Sequence, residues 1–412
     1  MQVPQRPWQE VLLSPDYAAF WQENPRLTAE QIVLRKIDFQ GLGSIFLAQQ
    51  VAGRTLASTK LPTWASKSAI AFPPTLNLGQ ASWEATARWK ANTLSGKAIA
   101  DLTGGTGVDS FFMRQKASKL LYCEPNEAVF AIGAHNVGQS SGGSFQAICQ
   151  AAEAMTLGEL EGYNTLYLDP SRRTSDGSRV VALADLAPDI IRLSILKQWQ
   201  GDVLLKLPPA QDLSALRLAL PWVHTMWVLS IGNEVKEIIA LGRPSATATE
   251  AKIMAEELDW NGQTYSWPLS IDMPSQITEQ LAYAEPRVGH YLLEPGAAVL
   301  KASLQDAMHQ SLGLQKCHPN THLYCSGTIV PAYFGKVYEV LSLVPADMKA
   351  IGKAWAGKGV QLTTRNFGLK PEEIAKRAKL KSGSAGHLFF FSTLGGHFCA
   401  SVRRVPSAPT VM

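Results

Sequence analysis

A chain of 412 residues, 46% hydrophobic and 17% charged, has enough apolar material to bury more than one core, which excludes disorder as its main state. No run approaches the roughly 18 uninterrupted apolar residues that a membrane span requires, and the opening Met-Gln-Val-Pro-Gln-Arg-Pro-Trp has no apolar core of the secretory kind, so a cytoplasmic location is expected. Five cysteines at irregular spacing fit a reducing compartment and not a disulfide framework. The formal charge of +4 is unevenly spread: from residue 291 onward 14 Lys and Arg face 6 Asp and Glu, a surplus of +8, so the residues before it sum to −4.

Residues 1–75 read as helical, with apolar spacing at Trp8, Val11 and Leu12 and again at Ile32, Val33 and Ile37, and they carry no chemical signature. Across 76–288 the texture changes. Short apolar runs at 98–102, 120–123, 145–148, 166–168 and 203–207, with a sixth at 226–230, alternate with helix-like segments. That alternation predicts a parallel α/β sheet covered on both faces, which binds its ligand at the carboxyl ends of its strands. The segment 230–237 is read as closing the sixth strand and starting a helix. Residues 246–286 read as strand-rich, with a hairpin about Asp259-Trp260-Asn261-Gly262-Gln263. A boundary at 286–291 opens a smaller α+β region over 289–412, with a helix at 298–312 and a closing strand pair at 387–392 and 397–403.

The strongest local signal is Asp101-Leu102-Thr103-Gly104-Gly105-Thr106-Gly107-Val108-Asp109, a glycine-rich turn between an apolar strand and a helix. Glycines here let the backbone approach a ligand closely, and the helix start presents free N–H groups. A dinucleotide fingerprint would want a third glycine where Ser110 stands, and the segment has little positive charge for a pyrophosphate. With Asp101 at one strand end and Glu124-Pro125 closing the next, the spacing resembles motif I and its acidic partner in class I S-adenosylmethionine-dependent methyltransferases. The resemblance implies a cofactor site of Asp101, Thr103, Gly104, Gly105, Gly107, Asp109, Glu124 and Pro125, with the acid at 124 on the ribose hydroxyls. Gln150, after the third strand, would take the adenine amino group through its amide oxygen. A helix over 80–90, with Ser82 as its N-cap, adds Thr86 as a further cofactor contact.

The fourth strand ends in Asp169-Pro170-Ser171-Arg172-Arg173, where methyltransferases acting on nitrogen often carry Asp/Asn-Pro-Pro-aromatic. Asp169 keeps the polar acceptor for a target amine, while Arg172 and Arg173 replace the aromatic with groups that stack on a base or bind phosphate. Lys206 closes the fifth strand. Asp169, Arg172 and Lys206 are the catalytic candidates, and no cysteine follows the fourth strand to support a covalent C5 mechanism.

Between Lys353 and Lys381 eight cations are opposed only by Glu372 and Glu373, which reads either as a polyanion-binding surface or as a solvated face. Cys317-His318 and His322-x-x-Cys325 lack the paired spacings of a zinc site and are read as a turn leading into a strand, so no metal is expected. With motif I, Asp-Pro-Ser-Arg-Arg, the segment Asn233 to Glu237 and Thr364-Arg365-Asn366-Phe367 before a basic helix, the chain resembles a bacterial family of class I methyltransferases with a C-terminal THUMP-like domain. That resemblance implies a Rossmann-like sheet over 76–288, a THUMP-like domain over 289–412, S-adenosylmethionine as cofactor and RNA as partner, a tRNA or rRNA base being methylated. Arg172, Arg173, Lys376 and Arg377 would then bind substrate. Two other readings stay open: a non-catalytic RNA-binding protein that keeps the fold, and a methyltransferase of a protein or small molecule.

Overall fold

The computed structural model describes residues 7–172, 183–260, 269–273, 282–330 and 335–406. The chain divides into two compact units, one made of Met1–Met226, Lys236–Thr249 and Leu258–Thr264, the other of Trp227–Val235, Glu250–Glu257 and Tyr265–Met412. No helix among the described residues is long and apolar enough to cross a membrane.

The first unit begins with short helices whose starts are written in the sequence. Ser14 accepts a hydrogen bond from the Tyr17 amide at 3.2 Å, and Thr28 and Gln31 form a reciprocal capping box. Their apolar faces meet in a cluster of Leu12, Tyr17, Ile32, Leu47, Ala48 and Ala71.

The sheet follows, with strands β1 (Ala98–Asp101), β2 (Lys119–Cys123), β3 (Ser144–Ile148) and β4 (Thr165–Leu168). A two-residue ribbon pairs β5 (Ser171–Arg172) with β6 (Leu186–Ala187). Then come β7 (Asp202–Leu207), β8 (Val223–Ile231) and β9 (Glu234–Gly242). The order is β8-β9-β7-β4-β1-β2-β3, parallel from β3 to β7 and antiparallel between β7 and β9. Every residue of β1 and β4 is buried, as continuous apolar runs in a sheet covered on both faces require. The order reverses between β1 and β4, which sets the ligand crevice at the carboxyl ends of those strands.

The expected helix start at 230–237 is a strand turn instead. Gly232 (φ 60°) and Asn233 (φ 65°) both adopt positive φ, the requirement of a two-residue type I′ hairpin, and send the chain back antiparallel as β9.

In the second unit β10 (Ala251–Leu258) pairs antiparallel with β11 (Leu269–Met273), while residues 261–263 of the expected hairpin lie outside the described residues. The main sheet is built from β12 (Tyr291–Pro295), β13 (Gln315–His318), β14 (Thr321–Ser326), β15 (Gly335–Pro345), β16 (Gly359–Arg365), β17 (Lys381–Ser382), β18 (Gly386–Thr393) and β19 (Gly396–Arg404), in the order β13-β14-β12-β15-β19-β18-β16-β17. Phe389 and Phe391 pack with Leu292, Cys317 and Cys325, whereas Phe390 joins Ile351, Ile374 and Cys399, so period-2 alternation fills a core on each face. The helix expected at 298–312 is two helices, Ala297–Lys301 and Gln305–Leu312. Ser303 enters the left-handed region (φ 58°) and Leu304 N–H returns to Val299 O at 2.9 Å, a Schellman closure that ends the first.

Candidate functional site

Motif I forms a loop folded tightly over β2. The Gly104 amide donates to Cys123 O at 2.7 Å, and the Tyr122 hydroxyl donates to Gly105 O at 2.6 Å. A Cβ at Gly104 would lie 2.1 Å from the Tyr122 ring, so only glycine fits there. Gly105 and Gly107 take positive φ, 53° and 82°, and Gly107 leads into the helix Val108–Arg114.

Both oxygens of Asp101 serve this loop: Oδ1 accepts from the Thr103 amide at 3.0 Å and Oδ2 from the Ser110 hydroxyl at 2.6 Å. Burial pushes its carboxyl up to about 7 against those two bonds. Glu124 spans the next step, with Oε2 accepting from the Gly105 amide at 3.1 Å and Oε1 from the Asn126 amide at 2.8 Å. Each oxygen keeps a lone pair. Pro125 is exposed beside it. Gln150 uses its amide nitrogen on Ala154 O at 3.0 Å, and no described hydrogen bond engages its amide oxygen.

Asp169 is tied to the same loop, because its amide donates to the Thr103 hydroxyl at 2.6 Å. Its carboxylate meets the Lys206 ammonium at 2.5 Å, the lysine side chain 11% exposed and the aspartate 32%. Desolvation pushes Asp169 up and outweighs the pull of Lys206. Burial disfavours the Lys206 ammonium, yet Asp169, Glu237 and Asp109 outweigh it and hold its pKa above the ordinary range.

Behind this pair lies a buried ionic cluster that the sequence reading did not find. Lys90, fully buried, contacts Glu237 at 2.6 Å, Asp109 at 2.9 Å and the Ser82 hydroxyl at 2.9 Å. Tyr167 and Ser82 each donate to Asp109 Oδ2 at 2.8 Å. Burial pushes Asp109 up, but Lys90 and Lys206 prevail and hold it below the usual carboxylate range. Ser82 is therefore a member of this cluster and not a helix cap: the helix Glu84–Thr93 starts after Trp83 with no side-chain cap. Thr86 is also placed in it, its hydroxyl 2.6 Å from Glu237 Oε1 and wholly buried.

Lys60, to which the sequence assigns no role, is also buried. Its ammonium donates to Leu78 O at 3.0 Å and Gly79 O at 2.6 Å and lines, with Trp83, a cavity of about 1050 Å³. Burial, then repulsion from Lys206, pushes its pKa down to about 8.

The structure thus brings Asp101, Thr103, Gly104, Gly105, Glu124, Asp169 and Lys206 together. Arg172 lies in β5, and Arg173 lies outside the described residues. Lys376 and Arg377 are exposed on the helix Pro371–Ala378, which buries Ile374 and Ala378 on its other face. Cys317 and Cys325 are core residues, and among the described residues no group of three metal-ligating side chains occurs.

Residues 291–333 match a family model described as a ferredoxin-like domain, and residues 335–404 one described as THUMP domain-like. The chain is similar to the crystal structure of a candidate methyltransferase from Porphyromonas gingivalis W83, with a TM-score of 0.81 and 26% identity over 96% of this chain and 99% of that one. It is more distantly similar to a modification subunit assigned to a type I restriction enzyme of Vibrio vulnificus YJ016, with a TM-score of 0.30 and 11% identity over 42% of this chain and 46% of that one. An rRNA methylase from Streptococcus thermophilus gives a TM-score of 0.28 and 13% identity over 38% of this chain and 92% of that one, and likenesses this slight carry no weight. No curated protein matches the sequence. The sheet order and the full-length likeness give the chain a mixed α/β, methyltransferase-like fold, and the C-terminal match gives it a THUMP-like domain over residues 335–404.

Proposed function

We propose that the protein is an S-adenosylmethionine-dependent methyltransferase acting on RNA. The observation that carries this reading is the pairing of a glycine loop, clamped between Asp101 and Glu124, with the Asp169–Lys206 ion pair bonded to it through Thr103.

The residues suit the cofactor's chemistry. Glu124 is an acceptor with a lone pair left on each oxygen, which matches the two adjacent hydroxyls of a ribose. No Lys or Arg stands in 101–109, which favours a phosphate-free guest. Gln150 retains its amide oxygen for an adenine amino group. When bound, the cofactor supplies an electrophilic methyl group already activated on sulfur. The chain's task is then alignment. Asp169 accepts an N–H of the target amine and aims the nitrogen lone pair, and Lys206 fixes the carboxylate's position. The exposed Lys376 and Arg377, with Lys353, Lys358, Lys379 and Lys381, supply a sequence-independent attraction for a phosphate backbone.

Calorimetry with S-adenosylmethionine, followed by methyl transfer to RNA, tests the assignment. The Asp169→Ala variant is expected to keep its cofactor affinity and lose about 100-fold or more in turnover. Retained turnover removes Asp169 from its role, and failure of the native protein to bind the cofactor overturns the reading as a whole.

A further inference from the structure

A second cavity, of about 620 Å³, is built entirely from residues of the C-terminal unit, including His318, Thr364, Asn366, Phe367, Ser392 and His397. Its hydrogen bonds determine where the imidazole protons sit. His318 Nδ1 lies 3.0 Å from the Asn320 backbone nitrogen and 3.1 Å from the Asn366 side-chain amide nitrogen. Both of those groups only donate, so Nδ1 accepts and the ring proton is on Nε2. The Ser392 hydroxyl donates to the Asn366 carbonyl, which leaves the Ser392 oxygen to accept from His397 Nδ1 at 2.9 Å. His397 therefore carries a proton on Nδ1, and its neutral form keeps a lone pair on Nε2. Asn366, held in the left-handed region at φ 49°, serves both histidines, one through its side chain and the other through its carbonyl and Ser392.

The result is one imidazole with Nε2 as donor and a second that, in its neutral form, offers Nε2 as acceptor, with the Phe367 ring 5.4 Å from the His397 ring. Among the described residues no Lys or Arg lines the cavity, and the adjacent Arg365 is ion-paired with Glu294, so the site is poorly suited to an isolated anion. Opposed donors and acceptors beside an aromatic ring suit the edge and face of a heterocycle. From Phe367 the chain runs directly into the exposed Lys370, Lys376, Arg377 and Lys379, which are available to the flanking phosphates.

We propose that this pocket binds a single unpaired nucleobase, giving the C-terminal unit base readout in addition to charge. The inference rests on RNA being the substrate, and it makes this pocket a docking subsite for the strand. Binding needs both tautomers at once, the His318 Nε2–H donating to a ring nitrogen or carbonyl of the base and His397 Nε2 accepting from an amino or imino group.

The test uses the full-length protein with histidine-selective ¹⁵N labelling. The imidazole resonances are followed while adenosine, cytidine, guanosine and uridine are added in turn, and the free protein is expected to show the two tautomers deduced above. At least one nucleoside is expected to shift His318 and His397 together. In parallel, fluorescence anisotropy compares an unstructured RNA of roughly 12 nucleotides with an abasic chain of the same length. The base-bearing RNA is expected to bind about fivefold or more tightly, the low end for one stacked base. His397→Ala, at an exposed position, is expected to erase that difference while leaving the abasic affinity unchanged. Absence of any imidazole shift with all four nucleosides, or equal affinity for the two chains, overturns the pocket. Nucleoside-dependent shifts in a protein that transfers no methyl group to RNA would uphold the pocket and overturn RNA methylation.

Discussion

The Lys206 ammonium lies 2.5 Å from the Asp169 carboxylate and joins the end of β7 to the end of β4. This contact decides how much of Asp169 is ionised, because desolvation raises its pKa and Lys206 lowers it. Replacing Lys206 by Met removes the lowering influence and moves the pKa of Asp169 upward. The expected outcome is a loss of turnover of about 100-fold at neutral pH, with the acid limb of the pH–rate profile displaced to higher pH. An unshifted acid limb would mean that Asp169 does not act as a carboxylate.

Lys90 is fully buried between Glu237 and Asp109, and removing its charge leaves two carboxylates in contact with each other's field. Breaking such a buried cluster from one side costs about 3 to 5 kcal/mol. Lys90→Met is accordingly expected to lower the stability of the fold by about that amount in urea unfolding. A change within experimental scatter would show that the two acids are protonated in the native protein.

Asp101 gives the stability a definite pH dependence. Its pKa is raised to about 7 in the folded protein by burial, so between about pH 4 and pH 7 the folded state holds a proton that the unfolded chain has lost. Stability from this group therefore falls as pH rises through that window and levels off above it, an effect on the order of a few kcal/mol. The difference in unfolding free energy between the native protein and Asp101→Asn, measured from pH 4 to 8, is expected to follow that slope. A flat difference would place the Asp101 pKa near that of the unfolded chain.

Gly104 leaves no room for a side chain, since a Cβ would come within 2.1 Å of the Tyr122 ring. Gly104→Ala is expected to abolish cofactor binding by lifting the loop from Glu124. Gly138→Ala, at a helix end with nothing within 4 Å, is expected to leave binding unchanged and to stabilise by up to about 1 kcal/mol. Both are read by calorimetry and thermal unfolding, and equal cofactor affinity in the two variants would detach the loop from the site.

Strands β1, β4 and β7 were legible as apolar runs buried along all or nearly all of their length: residues 166–168 and 203–207 of the sequence differ from β4 and β7 by a single residue at their starts. Asp169 and Lys206 were legible as strand-end polar groups, though their mutual contact was not. The turn at Gly232-Asn233 carried a hairpin signal that the polar run after it obscured. The Lys90 cluster lay beyond reach, since Thr86 and Glu237 are 151 residues apart and only the folded sheet and helix bring them together. The His318–His397 pocket depends likewise on strands far apart in the chain.

The most direct test is transfer of a labelled methyl group from S-adenosylmethionine into a cell extract, with the product divided by sensitivity to RNase, DNase and protease. RNase-sensitive label, lost with Asp169→Ala, is the predicted result. Protease-sensitive, RNase-resistant label would contradict RNA as the substrate, and absence of label from a protein that binds the cofactor would contradict methyl transfer.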